Sequence, residues 1–222
     1  LKIMEKNNCK IMIFSSSATV YLSGNKEKIK ESNKIGPINT YGETKSTIEK
    51  ILSSIFKSNS SEWKIANLRY FNPIGAHFSG GLGEQPRGTP NNIFPIILKV
   101  ANGEQKHLKV YGSDWNTSDG TCIRDYIHIM DLAEGHLAAF EFLLNNNPRI
   151  ININLGTGKG YSVLELIKTF EQVNNIEIPY EFTSRREGDS EYVVADNSLA
   201  VSILKWNPKL TLKDMCKDGW NW

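Results

Sequence analysis

A tyrosine and a lysine stand four residues apart in the stretch "TYGETK", as Tyr41 and Lys45. Four residues is slightly more than one helical turn, so on a helix the phenol and the ammonium share a face. Local signals favour that helix. Thr40 followed by Glu43 reads as a capping box, and Ile48, Ile51, Leu52 and Ile55 recur behind it at helical spacing. A phenol in the first turn has the positive end of the helix dipole and a cation beside it. Both favour phenolate and draw the group from its ordinary pKa of about 10 toward the range where it exchanges protons at neutral pH. The pair therefore offers acid–base chemistry without histidine. With 8 Tyr and 26 Lys plus Arg in 222 residues, about one such pair is expected by chance, so its context decides its meaning.

The elements that must position the pair lie just before it. "KIMIFSSSATVY", residues 10 to 21, is a short apolar run ending in Ser15, Ser16 and Ser17, which reads as a buried parallel strand with a polar carboxyl end. In open α/β sheets, ligands bind at the carboxyl ends of strands. Serines also end strands and start turns for no other reason. The combination is more specific: strand, serine cluster, then a helix opening with Tyr-x-x-x-Lys.

"WKIANLRYF" (63 to 71) and "IININ" read as further parallel strands. "RDYIHIMDLAEGHLAAFEFLL" reads as a short strand and a helix capped by Asp131, and Ser162 with Glu165 as a capping box opening another helix. A helix near 92 to 102, a strand at "HLKVYG" and the Gly/Pro-rich loop "NPIGAHFSGGLGEQPRGTPNN" complete the pattern.

Composition excludes more than it selects. The chain is long enough for a substantial core, with 40% hydrophobic and 23% charged residues. A net charge of +2 argues for no nucleic-acid face, and no apolar run approaches the 18 residues of a membrane span. Three widely spaced cysteines suit reduced, cytoplasmic thiols. His77, His107, His128 and His136 show no metal-ligand spacing, so no metal is expected.

"FSSSATVY", "YGETK", "LRYFNPIGAH", "PNNIFP", "DGTCIRDYIHIMDLAEGH", "NLGTGKGYSVLE" and "RREGD" occur in this order from about residue 8 to the end. In them the chain resembles the extended short-chain dehydrogenase/reductases, and among these the UDP-hexose 4-epimerases. The resemblance implies a doubly wound, Rossmann-like parallel sheet with a smaller α/β substrate-binding lobe. Residues 1–71 and 123–160 would belong to the NAD-binding domain, and 72–122 and 161–222 to the UDP-sugar lobe. It implies NAD as cofactor, a UDP-sugar as the bound partner, a homodimer at full length, and interconversion of UDP-glucose and UDP-galactose through a 4-keto sugar. Epimerisation of another UDP-sugar, a pentose or a uronate, and a non-catalytic sugar-nucleotide-binding fragment are the alternatives.

By the same resemblance Tyr41 is the general base, and Lys45 lowers its pKa and bonds the nicotinamide ribose. Ser17 holds the sugar 4-oxygen and passes the proton between it and Tyr41, while Tyr70 and Phe71 line the nicotinamide side. Either aromatic alone could equally be plain core at a strand end. Asn72, Asn91, Asn92, Arg124 and Arg186 would hold sugar and phosphates, with Ile93, Lys109, Val110 and Tyr111 beside the nucleotide and Asp189 on its ribose. Arg124 with Asp125 could instead be a surface ion pair, and Lys109 and Tyr111 the exposed and buried faces of one strand. Val193, four after Asp189, would border the sugar's 2-position and, being small, leave room for N-acetyl sugars. Dehydratases and decarboxylating members carry an acid directly after the catalytic hydroxyl. Here that residue is Ala18.

A dinucleotide-binding fold opens with strand, glycine-rich turn and helix, whose amides cradle the pyrophosphate. None precedes Ser15, and "INLGTGKGYS" lies too late in the chain to serve. The expectation is an amino-terminally truncated chain that neither binds NAD tightly nor turns over sugar alone.

Overall fold

The computed structural model describes residues 1–22, 24, 26–88 and 90–222. In chain order the elements are α1 (Lys2–Lys6), β1 (Ile11–Ser17), α2 (Thr40–Ser58), β2 (Lys64–Tyr70), β3 (Asn72–Ile74), α3 (Ile93–Ala101), β4 (Leu108–Tyr111), β5 (Ile123–Arg124), β6 (Tyr126–His128) and α4 (Ile129–Leu144). There follow β7 (Arg149–Leu155), β8 (Tyr161–Ser162), α5 (Val163–Asn174), β9 (Tyr180–Thr183), β10 (Tyr192–Val193) and α6 (Leu212–Asn221). No helix among the described residues is long and apolar enough to cross a membrane, and none of their His, Cys, Asp and Glu side chains group as a metal site.

Three parallel strands in the order β1-β2-β7 form the sheet that positions the site. Their register aligns Ser17, Tyr70 and Leu155 in one row at the carboxyl ends. β2 is buried on both faces, as a central parallel strand should be. Its alternation divides the molecule. Ala66 and Leu68 pack with Ile153, Leu155, Leu132, Ala139 and Leu143 beneath α4. Ile65 faces the other way, onto Leu52 and Trp63 with Ile48 and Phe14 beneath α2. On that second face β2 turns polar toward its carboxyl end: Asn67 bonds Asn152, and Arg69 is 2% exposed. This is the doubly wound arrangement, with a helix on each side of the sheet.

A second core lies elsewhere, where Phe94 and Ile97 of α3, Leu166 and Phe170 of α5 and Met215 of α6 meet around Leu108, Val110 and Tyr126. β3 runs parallel to β6, and the small sheet β10-β5-β8 links this part of the chain to the ends of the main strands.

Two helix caps differ from expectation. Asn39 caps α2 by accepting the Gly42 N–H at 2.8 Å, and Thr40 is already helical. His128 caps α4 by accepting the Met130 N–H at 3.0 Å. Asp131 is instead buried one turn in, where its carboxylate accepts the backbone N–H groups of Lys209 and Leu210. At α2 a neighbour with the same capping chemistry stood closer to the true boundary, and at α4 a histidine ring nitrogen takes the place that a side-chain oxygen usually fills. The Ser162–Glu165 capping box of α5 is present.

Candidate active site

β1 ends in Ser15, Ser16 and Ser17, whose side chains diverge as strand residues must. Ser16 turns under α2 and donates to Glu49 at 2.5 Å. Ser15 is exposed and accepts from the Tyr70 hydroxyl at 2.7 Å. Ser17 caps the single helical turn Ala18–Val20, accepting the Thr19 N–H at 3.2 Å. Against that turn the first residues of α2 are pressed: a Cβ at Gly42 would lie 2.4 Å from the Thr19 carbonyl oxygen and 2.8 Å from Pro37. Only glycine lets the helix start this close to the strand end, and Tyr41 is its immediate neighbour.

Tyr41 is 55% exposed, and its ring lies beneath the Lys45 ammonium at 5.4 Å. Lys45 donates to the Ser15 carbonyl oxygen at 2.8 Å and also covers the Phe14 ring. The helix is anchored one turn further along. Arg69 grips Glu49 with Nε at 3.0 Å and Nη2 at 2.6 Å, and donates to the Tyr21 hydroxyl at 2.9 Å, which in turn donates to Asn154 at 2.6 Å. Burial alone would lower the arginine's pKa, but the bonds to Glu49 outweigh it and raise it. Burial pushes the Tyr21 phenol up to about 12. The ends of β1, β2 and β7 and the helix bearing Tyr41 are thus tied through one buried ion pair and its partners. None of Glu49, Arg69, Tyr21 or Thr19 was expected from sequence.

A cleft of about 730 Å³ opens over these strand ends. It is lined by Ser17, Thr19, Tyr41, Tyr70 and Phe71, and by Asn72, Asn91, Asn92, Ile93, Arg124, Arg186, Asp189, Tyr192 and Val193. Asn92 stands at the N-cap of α3 with its side chain unused in capping. Arg186 donates to Asp189 at 2.9 Å, and Arg124 lies 3.7 Å from the same carboxylate while donating to the Ser190 carbonyl at 2.7 Å. Asp189 raises the pKa of Arg186. Lys45, whose ammonium lies over the Tyr41 ring, is not part of that lining.

Lys109, Val110 and Tyr111 also lie outside it. Val110 is buried in the second core, Lys109 and Tyr111 point to the exposed face of β4, and Tyr111 carries the Arg186 guanidinium over its ring at 5.6 Å. A strand buried on one face cannot offer three successive residues to one ligand.

Arg124 and Asp125 are not a surface pair. Asp125 is fully buried and accepts the N–H groups of Thr157, Gly158 and Ala195 and the Thr157 hydroxyl, with burial raising its pKa. It pins the turn after β7 to the exit of β10 and leaves Arg124 facing the cleft. The same packing fills the late glycine-rich turn: a Cβ at Gly156 would meet Ala195 and Asp125 at 2.6 and 2.7 Å. Those glycines serve close backbone packing, and no other strand, glycine-rich turn and helix that could cradle a pyrophosphate lies among the described residues.

Residues 1–219 match the GDP-mannose 4,6 dehydratase family. The chain is 48% identical over 219 residues to a UDP-glucose 4-epimerase of Bacillus subtilis, a match covering 99% of this chain and 64% of that protein. Its structure resembles a UDP-glucose 4-epimerase from Stenotrophomonas maltophila with bound NAD and formylated UDP-arabinopyranose, at 42% identity and a TM-score of 0.96. It also resembles one from Bifidobacterium longum in complex with NAD+ and UDP, at 47% identity and a TM-score of 0.94. Both matches cover 100% of this chain and 65% of the other. The chain therefore spans less than two thirds of the length of these relatives.

Proposed function

The chain belongs to the GDP-mannose 4,6 dehydratase family, and from that premise we propose that it carries the substrate-handling and acid–base part of an NAD-dependent UDP-glucose/UDP-galactose 4-epimerase. The observation that carries the reading is the layout of the cleft. A phenol and a serine hydroxyl line it, two arginines that converge on Asp189 line it too, and Ala18 occupies the position after the serine. Elimination of water, as in a dehydratase, needs a proton donor or acceptor at the neighbouring carbon. Ala18 is 8% exposed and packs against Phe71 and Ala195, so it offers none.

On this reading residues 1–71 and 123–160 form the cofactor side and 72–122 and 161–222 the UDP-sugar side. Arg124 and Arg186 take the pyrophosphate, helped by Asn92 and the amide-bearing amino end of α3. Tyr41 removes the proton of the sugar's 4-hydroxyl while Ser17 bonds the 4-oxygen. The hydroxyl of Tyr70, the Lys45 ammonium and the half-exposed Tyr41 at the strand ends suit the nicotinamide-ribose end of a dinucleotide. NAD, when bound, supplies the hydride acceptor and donor. The test is conversion of UDP-galactose to UDP-glucose with NAD present. It is run on the chain alone and on the chain with a strand, glycine-rich turn and helix unit joined ahead of Leu1. Conversion by the joined protein is expected; conversion by neither preparation rejects the reading.

Substrate range rests on Val193. Tyr192 and Val193 are adjacent on β10, so their side chains diverge. Both line the cleft; the Tyr192 ring also approaches Gly160, whereas Val193 packs against the cluster that holds Ala18 and Phe71. Valine leaves space where a tyrosine would fill it, so UDP-N-acetylglucosamine and UDP-N-acetylgalactosamine are expected as substrates too. Val193→Tyr should reduce turnover of the N-acetyl sugars at least about tenfold, the effect of one steric clash of roughly 1–3 kcal/mol, and spare UDP-galactose. Undetectable turnover of UDP-N-acetylglucosamine by the unsubstituted protein would reject this assignment.

A further inference from the structure

Ser17 Oγ accepts two hydrogen bonds from one residue, the Thr19 N–H at 3.2 Å and the Thr19 hydroxyl at 2.9 Å. A hydroxyl oxygen has two lone pairs and one proton. Thr19 occupies both lone pairs. Ser17 is 8% exposed and lines the cleft, and it donates to no protein acceptor among the described residues. The proton it has left to offer is thus directed at the ligand space. We propose that Thr19 is a positioning residue that commits Ser17 to donate, so that Ser17 polarises the sugar's 4-oxygen without ever accepting its proton. This rests on the epimerase reading for the identity of that oxygen, and it replaces the proton-passing role expected of Ser17.

Thr19 itself is exposed, so burial does not require its hydroxyl to find a partner. Its backbone is clamped by the start of α2 through the close approach of Gly42, which holds the turn against the helix that carries Tyr41. A permanent donor suits both states of the substrate. The 4-hydroxyl accepts from Ser17 while giving its own proton to the Tyr41 oxygen. The ketone left behind has only lone pairs and accepts the same bond. The Ser17 O–H bond stays intact throughout, and one proton moves from the 4-oxygen to Tyr41 and back. Preorganised donation of this kind strengthens as negative charge develops on the oxygen.

Thr19→Val keeps the shape and deletes the hydroxyl donor, freeing one lone pair of Ser17 to accept; Thr19→Ser restores the donor. Calorimetric titration of the full chain compares UDP-4-keto-6-deoxyglucose with UDP, the latter also reporting an intact cleft. The wild type is expected to favour the keto sugar. Thr19→Val should lower that preference about 5- to 10-fold, the worth of one hydrogen bond, with UDP affinity within about twofold, and Thr19→Ser should recover it. In the epimerase assay Thr19→Val should lower kcat about tenfold with KM nearly unchanged. A ketone preference that is absent in the wild type, or equal in wild type and Thr19→Val, overturns the proposal. A preference that responds to Thr19 in a protein that never converts UDP-galactose would sink the epimerase reading and leave the role of Thr19 standing.

Discussion

Tyr41→Phe is expected to lower interconversion of UDP-galactose and UDP-glucose by roughly 10²- to 10⁴-fold while leaving UDP affinity within about twofold. The substitution is clean for structural reasons. The Tyr41 hydroxyl makes no hydrogen bond among the described residues, and the side chain is more than half exposed, so a phenylalanine ring can lie where the tyrosine ring lies, under Lys45. Packing and the cations elsewhere in the cleft are untouched; what is lost is the oxygen that receives the proton. Turnover in the Phe variant matching that of the unsubstituted enzyme would return Tyr41 to the status of an ordinary helix residue.

Arg69→Met should cost about 3–5 kcal/mol of stability, the usual consequence of leaving one member of a buried ion pair without its partner. Glu49 keeps 9% of its side-chain surface and loses two of its three hydrogen bonds in this variant. Urea unfolding measures the loss. Replacing both partners, as in Arg69→Met with Glu49→Leu, should recover most of it, because an apolar pair of similar volume has no desolvated charge to compensate. A single-variant loss below about 1 kcal/mol, the size typical of an exposed pair, would show that water reaches Glu49 and that the pair does not anchor α2.

The parts of this molecule visible in sequence are those written in short-range periodicity. The apolar run before Ser15, the helical spacing behind Tyr41 and the capping box at Ser162 each depend on residues within a turn or two of one another. The Gly42 contact was within reach, since a glycine in the first turn of an otherwise strong helix asks for a reason. Glu49 and Arg69 were not. Each is a charged residue in an element whose period names no partner for it, and their partnership exists only once β2 lies beneath α2.

Asp125 could not be placed for the converse reason: adjacent to Arg124, it left a local pairing open as an alternative, whereas its partners are 32 to 70 residues away. Strand register also separates Val110, which faces the core, from Lys109 and Tyr111, which face out. A motif locates a stretch of chain, but the pleat decides which of its residues a ligand can meet.

Asp189 sits between Arg186 and Arg124, and this changes how the cleft looks to an ion in bulk solution. At physiological ionic strength, fields fade over about 8 Å. An anion approaching from that distance therefore meets two guanidinium groups half offset by one carboxylate, and long-range attraction is weaker than two free cations would exert. Capture is then governed by events at contact, where a ligand must draw the arginines from Asp189 and fit the cleft while doing so. Inorganic phosphate and other small anions of the cell gain little from such an exchange. Two cations that would otherwise form an indiscriminate anion trap are in this way kept for a ligand with the reach and shape to claim both.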